Sequence, residues 1–437
     1  MLARATAGCL LLAALAAGCS GGGEAGRSLT GTWEAPVDLS RPGERANTPH
    51  VAVGADGRAA AIWTSTPEQG PTRVLVRGAE RPAGGRWSRP VTISSHGSAS
   101  AVQIAVDADG GAIAMWSALE GRRFSVQAAT RSSAGTWSAP ERLSAAGESA
   151  TSPSVALDAK GDALAVWQRT RAGASSIQSS TRPAGGDWGT AAELARVSTT
   201  SGADSAQPHV AVGAKGDAAA VWTDDGAVQA ALKPAGGVWR TPQALTARAG
   251  SSVAAQVVVD GAGNVVAAWL DDTGSVVRAS VHAPGGHWGT PKRISRIRQM
   301  AGGPRLATGG RDTTIAVWTT FSGVASATLR PGDGWQAPVD ISGRADAFST
   351  PVAMSSRGDA VAVWIGDDGG SEQGAVRAAG GRWQTPHDLA PRTPGQEAAG
   401  ANISVGVDPR GAVAVAVWSR PIDADSVVQA TTRPLGG

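Results

Sequence analysis

An all-β fold is what this sequence predicts, and three observations carry it. The first is the placement of tryptophan. The 437-residue chain holds 16 tryptophans and no tyrosine, and the tryptophans fall into pairs: Trp33/Trp63, Trp87/Trp116, Trp137/Trp167, Trp188/Trp222, Trp239/Trp269, Trp288/Trp318, Trp335/Trp364 and Trp383/Trp418. The first members recur about every 50 residues, a fixed period that marks repeat architecture. The second is the character of each repeat. Its segments are short, rich in Val, Ile, Ala and Thr, and bounded by Gly, Pro, Asp or Ser. Those are strand and hairpin signals, and no stretch offers a helical period. The third is the phase of the chain ends. The chain stops at Thr432-Arg-Pro-Leu-Gly-Gly437, where the next Trp is due, and begins its pattern at Gly31-Thr32-Trp33.

Each element of the repeat has its own reason. The hairpin turn between the first two inner strands reads Ala-Asp-Gly57, Asp-Ala-Lys-Gly161 or Ala-Lys-Gly216, with glycine six residues before the second Trp in most units. A tight hairpin needs positive φ there, which glycine supplies. Asp312 takes the glycine's place in the sixth unit, and Gly411 lies one residue further away in the eighth. Proline follows the first Trp by three residues at Pro36, Pro90, Pro140, Pro242, Pro291, Pro338 and Pro386, with Ala191 the exception. Proline lacks the N–H of a central ladder, so this segment is expected at the outer edge. Four strands per unit make the fold a single eight-bladed β-propeller of four-stranded blades over residues 30–437. A basic residue precedes the first Trp at Arg81, Arg131, Arg182, Lys233, His282, Arg330 and Arg377, and Arg433 would stand in the same relation to Trp33. The N-terminal strand is therefore expected to complete the last blade and leave no exposed edge.

The N-terminus reads as an export signal. Arg4 supplies a positive region, and residues 9–18 are an apolar run too short to span a bilayer. Leu15-Ala16-Ala17-Gly18-Cys19 resembles the lipobox of bacterial lipoproteins, with leucine one place earlier than that family prefers. The resemblance implies a signal peptide over residues 1–18, removed on export, and a lipid anchor on Cys19. A flexible tether over residues 19–29 follows, and the protein is expected to be extracytoplasmic and anchored to the cell membrane. The bland alternative is an ordinary secretory signal. Cys9 lies inside the signal, so Cys19 would remain alone and no intramolecular disulfide is expected.

Composition excludes some functions. The net charge is +3, only four basic residues are lysine, and the arginines are scattered. A nucleic-acid footprint needs a clustered basic face, so no nucleic-acid partner is expected. No metal or cofactor is expected either: the six histidines are spread out, and His50 and His209 only repeat one Pro-His-Val slot. Asp224-Asp225, Asp271-Asp272 and Asp367-Asp368 read as hairpin turns before they read as calcium ligands. Both Trp series read as core wedges before they read as sugar-stacking platforms, and the basic ladder from Arg81 to Arg433 reads as a satellite of Trp before it reads as a ring of anion sites.

The repeats also differ among themselves. The turn near Gly57 and the Pro-Ala-Gly-Gly turn before the first Trp are nearly constant, and both fall on one face. The loops after the second Trp and the connections between blades vary and share the opposite face, where a site is expected. The order strand, glycine turn, Trp resembles the Asp-box repeats of sialidase-type propellers. Ser133-Ala-Gly-Thr-Trp137 is the nearest approach, with glycine one place late and the Asp missing. The resemblance covers architecture over residues 31–437. Its activity does not carry over, because sialidases use a tyrosine nucleophile. The expectation is a monomeric binding or scaffold module, not an enzyme, for a protein or carbohydrate partner. The alternative is a glycan-binding or glycan-cleaving propeller with loop carboxylates such as Glu68, Glu120, Asp224 or Asp271 at the mouth of the central channel. Any ligand site is placed around Phe321 and Phe348, two aromatics in polar, glycine-rich segments on the variable face.

Overall fold

The computed structural model describes residues 29–67, 73–95, 97–198, 206–247, 252–271, 275–297, 299–343, 347–366, 371–390, 402–422 and 425–436. Cys19 and tether residues 20–28 lie outside the described residues, whereas Leu29, the last residue of the expected tether, is 2% exposed in the core. The described chain is all-β apart from one short 3-10 turn, Gly310–Asp312. Its strands form antiparallel sheets of four strands in sequence order, as in Ser149–Leu157, Ala163–Arg171, Ala174–Arg182 and Ala192–Val197. Two sheets count a fifth strand, and units one and eight join into one eight-stranded sheet through the parallel pair Arg45↔Ser426. In unit six the outer strand is interrupted, and in unit seven the inner one is. This is the arrangement of a β-propeller.

The inner strands of the eight repeat units are Glu44–Val53, Ser98–Val106, Ser149–Leu157, His209–Val212, Ser252–Val259, Arg305–Gly309, Val352–Met354 and Ile403–Val407. Each packs against the next in chain order, and Ile403–Val407 also packs against Glu44–Val53. The N-terminal strand Val37–Asp38 pairs with the third strand of unit eight, Asp425–Pro434, through Val37↔Ala430 and Asp38↔Gln429. Glu34 N donates to Thr432 O at 2.8 Å and Leu39 N to Val428 O at 2.7 Å, extending that ladder on both sides.

The core is a series of interfaces between consecutive units, each centred on a second-series Trp. Trp63 packs on Val415, Val417 and Val428 of unit eight. Trp116 packs on Ile62 and Val76 of unit one, and Trp222 on Val166 and Ile177 of unit three. All eight second-series tryptophans are at most 1% exposed. The first series is different: Trp33, Trp87, Trp137 and their counterparts are only partly buried, at the outer margin of the same interfaces. The two series are therefore not equivalent wedges, because the outer strand that carries the first Trp has no further strand to cover it.

Turn chemistry follows the glycines. Gly57, Gly110, Gly161, Gly216, Gly263, Gly358 and Gly411 have φ between +71° and +96°, and Asp312 in the same role has φ +53°. An aspartate can take a left-handed conformation because its short polar side chain bonds locally. The two constant turns are tied together: Asp162, Asp217 and Asp359 each accept from the backbone N–H of the alanine in the following Pro-Ala-Gly-Gly or Ala-Ala-Gly-Gly turn, at 2.8, 3.1 and 3.0 Å. Five members of the basic ladder, Arg81, Arg131, His282, Arg377 and Arg433, are buried, while Arg182, Lys233 and Arg330 are half-buried. Arg131 pairs with Glu80 of the preceding unit, Arg377 donates to Thr328 Oγ1 at 2.7 Å, and His282 meets Trp288 edge-on at 5.4 Å.

Candidate functional site

Six inner strands carry a residue with left-handed backbone: Thr48, Ala101, Ser152, Gln207, Ala254 and Ser349, with φ between +39° and +53°. In four of these strands the ladder to the second strand slips here, between Asn47 and His50, Ser100 and Gln103, Thr151 and Ser154, and Val253 and Gln256. A bulge of this kind re-aims the side chain that follows it, and bulges cluster beside functional sites. The side chain re-aimed here lies two residues on. It is His50, Gln103, Ser154, His209, Gln256 or Pro351; Arg305 and Ser404 hold the same register with no left-handed residue before them, and all eight lie opposite the residue just before the second Trp. Equivalent register gives all eight the same place within their sheets. Seven of the eight are polar.

The serines of this level stitch units together. Ser404 Oγ accepts from Val51 N at 3.3 Å, and Ser154 Oγ from Val210 N at 3.2 Å. The longer side chains are left for the axis. His209 Nε2 lies 3.0 Å from Gln256 Nε2. An amide nitrogen only donates, so His209 accepts there and its ring is neutral with the hydrogen on Nδ1. Desolvation pulls both His50 and His209 down to about 4, and the positive charge of Arg305 adds to the effect on each. Arg305 thus acts on an imidazole of unit one and an imidazole of unit four, so the three groups share one electrostatic environment. The guanidinium is in reach of water, yet enclosure by the inner strands lowers its own value. The next position on each inner strand is small: Ala52, Ala105, Ala156, Ala211, Ala307, Ala353 or Gly406, with Val258 the exception. Small side chains let neighbouring inner strands approach closely here; a Cβ on Gly406 would meet Val53 Cγ2 at 2.9 Å.

The sequence reading saw only His50 and His209 of this set, as a repeated slot. The signal that would have found the rest is a column thirteen residues before the second Trp, fourteen in unit eight. Phe321 and Phe348, expected at the site, are 73% and 55% exposed. The strand leading to Phe321, Thr313–Thr320, packs against Ala347–Phe348 of the next unit. Two residues the sequence reading passed over join them: Met300 is 66% exposed, and Ile297 60%. Phe321 N donates to Gln299 O at 3.1 Å, which brings the Met300 segment alongside.

The proposed loop carboxylates do not gather at the axis. Glu68 lies outside the described residues. Glu120 accepts from Gln127 Nε2 at 2.6 Å and faces Arg142 at 3.4 Å. Asp224 Oδ1 accepts from Ser198 N at 2.7 Å, and Asp271 Oδ2 from Arg278 Nε at 2.7 Å. Glu120 and Asp271 are engaged within their own sheets and Asp224 by the segment after the preceding sheet's outer strand, so the structure does not bring them together. A different carboxyl stands out. Glu372 is 3% exposed. Desolvation pushes its carboxyl up, its own amide and Arg420 of unit eight pull it back, and Asp388 adds to the rise. It lies across the sheet from Phe348 through Ile365.

No protein-family model matches the chain, and no curated protein matches it in sequence. Solved structures do match in fold. A puromycin hydrolase aligns at a TM-score of 0.51 and 16% identity, over 89% of this chain and 61% of that one, so this chain spans less than two thirds of that protein's length. An α-L-arabinofuranosidase of Fusarium graminearum aligns at 0.44 and 11% identity, over 94% and 98%. A leech intramolecular trans-sialidase aligns at 0.42 and 9% identity, over 90% and 91%. At these identities the likeness shows fold alone. It does correct one expectation. The chain was read as not an enzyme; the solved structures it is similar to are mostly hydrolases, which overturns that expectation. The missing tyrosine excludes one nucleophile and leaves carboxylate chemistry open.

Proposed function

We propose that this chain is an exported, lipid-anchored propeller of eight blades that takes carbohydrate at its axis and on its variable-loop face. The observation that carries the reading is the axial level of guanidinium, imidazole and amide side chains. The guanidinium donates, while the neutral imidazoles and the amides both donate and accept, which matches the hydroxyls of a sugar. The exposed rings of Phe321 and Phe348 supply flat apolar surface of the sort that partners bind. Ring closure is supported by the pairing of Val37–Asp38 with unit eight and by the packing of the first inner strand on the eighth. The anchor rests on the Cys19 motif. Leu29 O, where the described chain begins, accepts from Arg433 Nη2 at 3.4 Å, near the constant turns. An anchored propeller would then hold its constant face nearer the membrane and its variable loops outward.

The test is calorimetric titration with a panel of neutral and acidic oligosaccharides, repeated with Gln256→Ala and His50→Ala. Binding that fails across the panel, or that both variants leave unchanged, would remove carbohydrate from the axis. Cys19→Ala should move the protein from the membrane to the soluble fraction, and retention in the membrane would remove the anchor.

A second reading, glycan cleavage, has its own observation. Glu372 is a buried carboxyl whose pKa burial raises, the direction a general acid needs. Reducing-end release from the same panel, abolished in Glu372→Gln, is the expected result. Cleavage that persists undiminished in that variant would move the acid elsewhere.

A further inference from the structure

Arg81 stands apart among the buried members of the basic ladder. Arg131 pairs with Glu80, and Arg377 donates to Thr328 Oγ1 at 2.7 Å and to Gly381 O at 2.8 Å. Arg433 donates to Gln384 Oε1 and to Leu29 O, both at 3.4 Å. Arg81 is 8% exposed, yet its side chain makes no hydrogen bond and no ion pair among the described residues. The sequence supplies the reason. Arg131 reaches the residue just before Arg81. The residue in that relation to Arg81 is Thr432, just before Arg433, and it carries no charge. Enclosing a guanidinium without acceptors costs free energy, and a ligand that brings the acceptors offsets the cost.

A place for such a ligand adjoins Arg81. The N-terminal strand Val37–Asp38, residues 87–90 of unit one and residues 430–432 of unit eight wall a cleft of about 740 Å³. Arg81 lines it, as do Arg41, Arg86 and Arg89, three exposed arginines that also have no side-chain partner among the described residues. The two carboxylates of the cleft do not answer them: Asp38 accepts from Gln429 Nε2 at 2.8 Å, and Glu34 is exposed and pairs with none of the four. A smaller cleft of about 360 Å³, beside the constant turns, shares Arg81 with the first. Its own aspartates are engaged, Asp56 with Arg58 at 2.9 Å and Asp408 with the amide of Ala412 at 2.6 Å. Four guanidinium groups against two carboxylates leave the larger cleft a surplus of two positive charges.

We propose that this cleft binds a phosphate monoester, with Arg81 at the phosphoryl group and Trp87 beside the group that carries it. The site is built from other elements than the carbohydrate reading uses and does not rest on it. A phosphate monoester is close to a dianion at neutral pH and presents three acceptor oxygens, which matches the surplus charge. The cationic lining is arginine without lysine, and guanidinium forks meet phosphate oxygens in pairs. The half-buried indole of Trp87 gives the cleft a flat apolar wall.

The experiment titrates the full chain with phenyl phosphate and with benzoate in phosphate-free buffer, by calorimetry and by thermal melting. Phenyl phosphate should bind about tenfold or more tightly than benzoate. Its binding should be tighter at pH 7.5 than at pH 5.5, where the ester has lost part of its second charge. Arg81→Met should remove the preference for phenyl phosphate, and Arg330→Gln, a ladder change in unit six, should leave it intact. Because Arg81 has no partner in the protein, Arg81→Met should melt no lower than wild type without ligand, and should lose the rise in melting temperature that phenyl phosphate gives the wild type. The exposed pair Arg86→Ala/Arg89→Ala should weaken phenyl phosphate about threefold with the ligand-free melting temperature unchanged. An Arg81→Met chain that melts well below wild type without ligand would assign the arginine to the fold and overturn the site. Benzoate bound as tightly as phenyl phosphate, or phenyl phosphate bound equally by wild type and both cleft variants, would overturn it as well.

Discussion

His50 and His209 sit opposite residues of the second strands at equivalent register, and both are held neutral by enclosure and by Arg305. In the unfolded chain each titrates near 6.5, in the folded chain at about 4. Between those values the unfolded state binds more protons, so stability is full above about pH 6.5 and is lost as pH falls toward 4. The upper bound is about 3 kcal/mol per histidine, reduced in practice because both rings still meet water. The double variant His50→Gln/His209→Gln should flatten the fall in urea midpoint between pH 7 and 4.5. A variant that falls as steeply as wild type would place the loss on carboxylates instead. Glu372 runs the other way. Its raised folded value means stability is lost as pH rises through it, so Glu372→Gln should raise the melting temperature at pH 7 more than at pH 4. An equal or opposite change would mean that Arg420 outweighs the burial. Neither imidazole announced this setting in the sequence, where the pair was visible only as a repeated tripeptide.

At the scale of a strand or turn, position within the unit decides what a residue is worth. Trp222 is 1% exposed at the interface of units three and four, whereas Trp239 is partly buried and donates from Nε1 to Ser179 Oγ at 3.0 Å. Trp222→Ala should cost about 3–5 kcal/mol in chemical denaturation, and Trp239→Ala clearly less. Equal losses would contradict the inner-outer distinction. The hairpin glycines form a second graded set. Gly216 at φ +88° should lose about 1 kcal/mol on replacement by alanine, while Asp312 at φ +53° should accept glycine at little or no cost. A further element was missed by sequence reading. Ser40, Ser94, Ser144, Thr246, Ser295 and Ser342, seven residues after the first Trp, each accept from a third-strand amide at 2.7–3.0 Å. Serine in a loop has many uses, and only the fold shows that this one replaces a ladder bond where the short outer strand has ended.

For the whole molecule, the decisive contact joins the two ends of the chain. Val37–Asp38 lies beside Asp425–Pro434, and Val428 N donates to Ser40 Oγ at 3.0 Å across 388 positions of sequence. Removing residues 29–40 should expose the third strand of unit eight as an edge, lower the melting temperature by several degrees or more, and promote self-association visible in size-exclusion chromatography. An unchanged, monodisperse protein would mean that unit eight does not depend on the N-terminal strand. The repeat by itself determined which segments are strands, where the turns fall, which Trp opens the outer strand and why proline follows it. Those properties depend on neighbours within about ten residues and on the pleat and turn rules that act there. It did not determine the axial site. His50, Gln256 and Arg305 belong to units one, five and six, and each is an unremarkable polar residue in its own strand. The proposed site joins them because the inner strands pack in succession and the three residues hold the same register within their sheets. Convergence of this kind is a property of assembled units, so no single repeat, read alone, contains it.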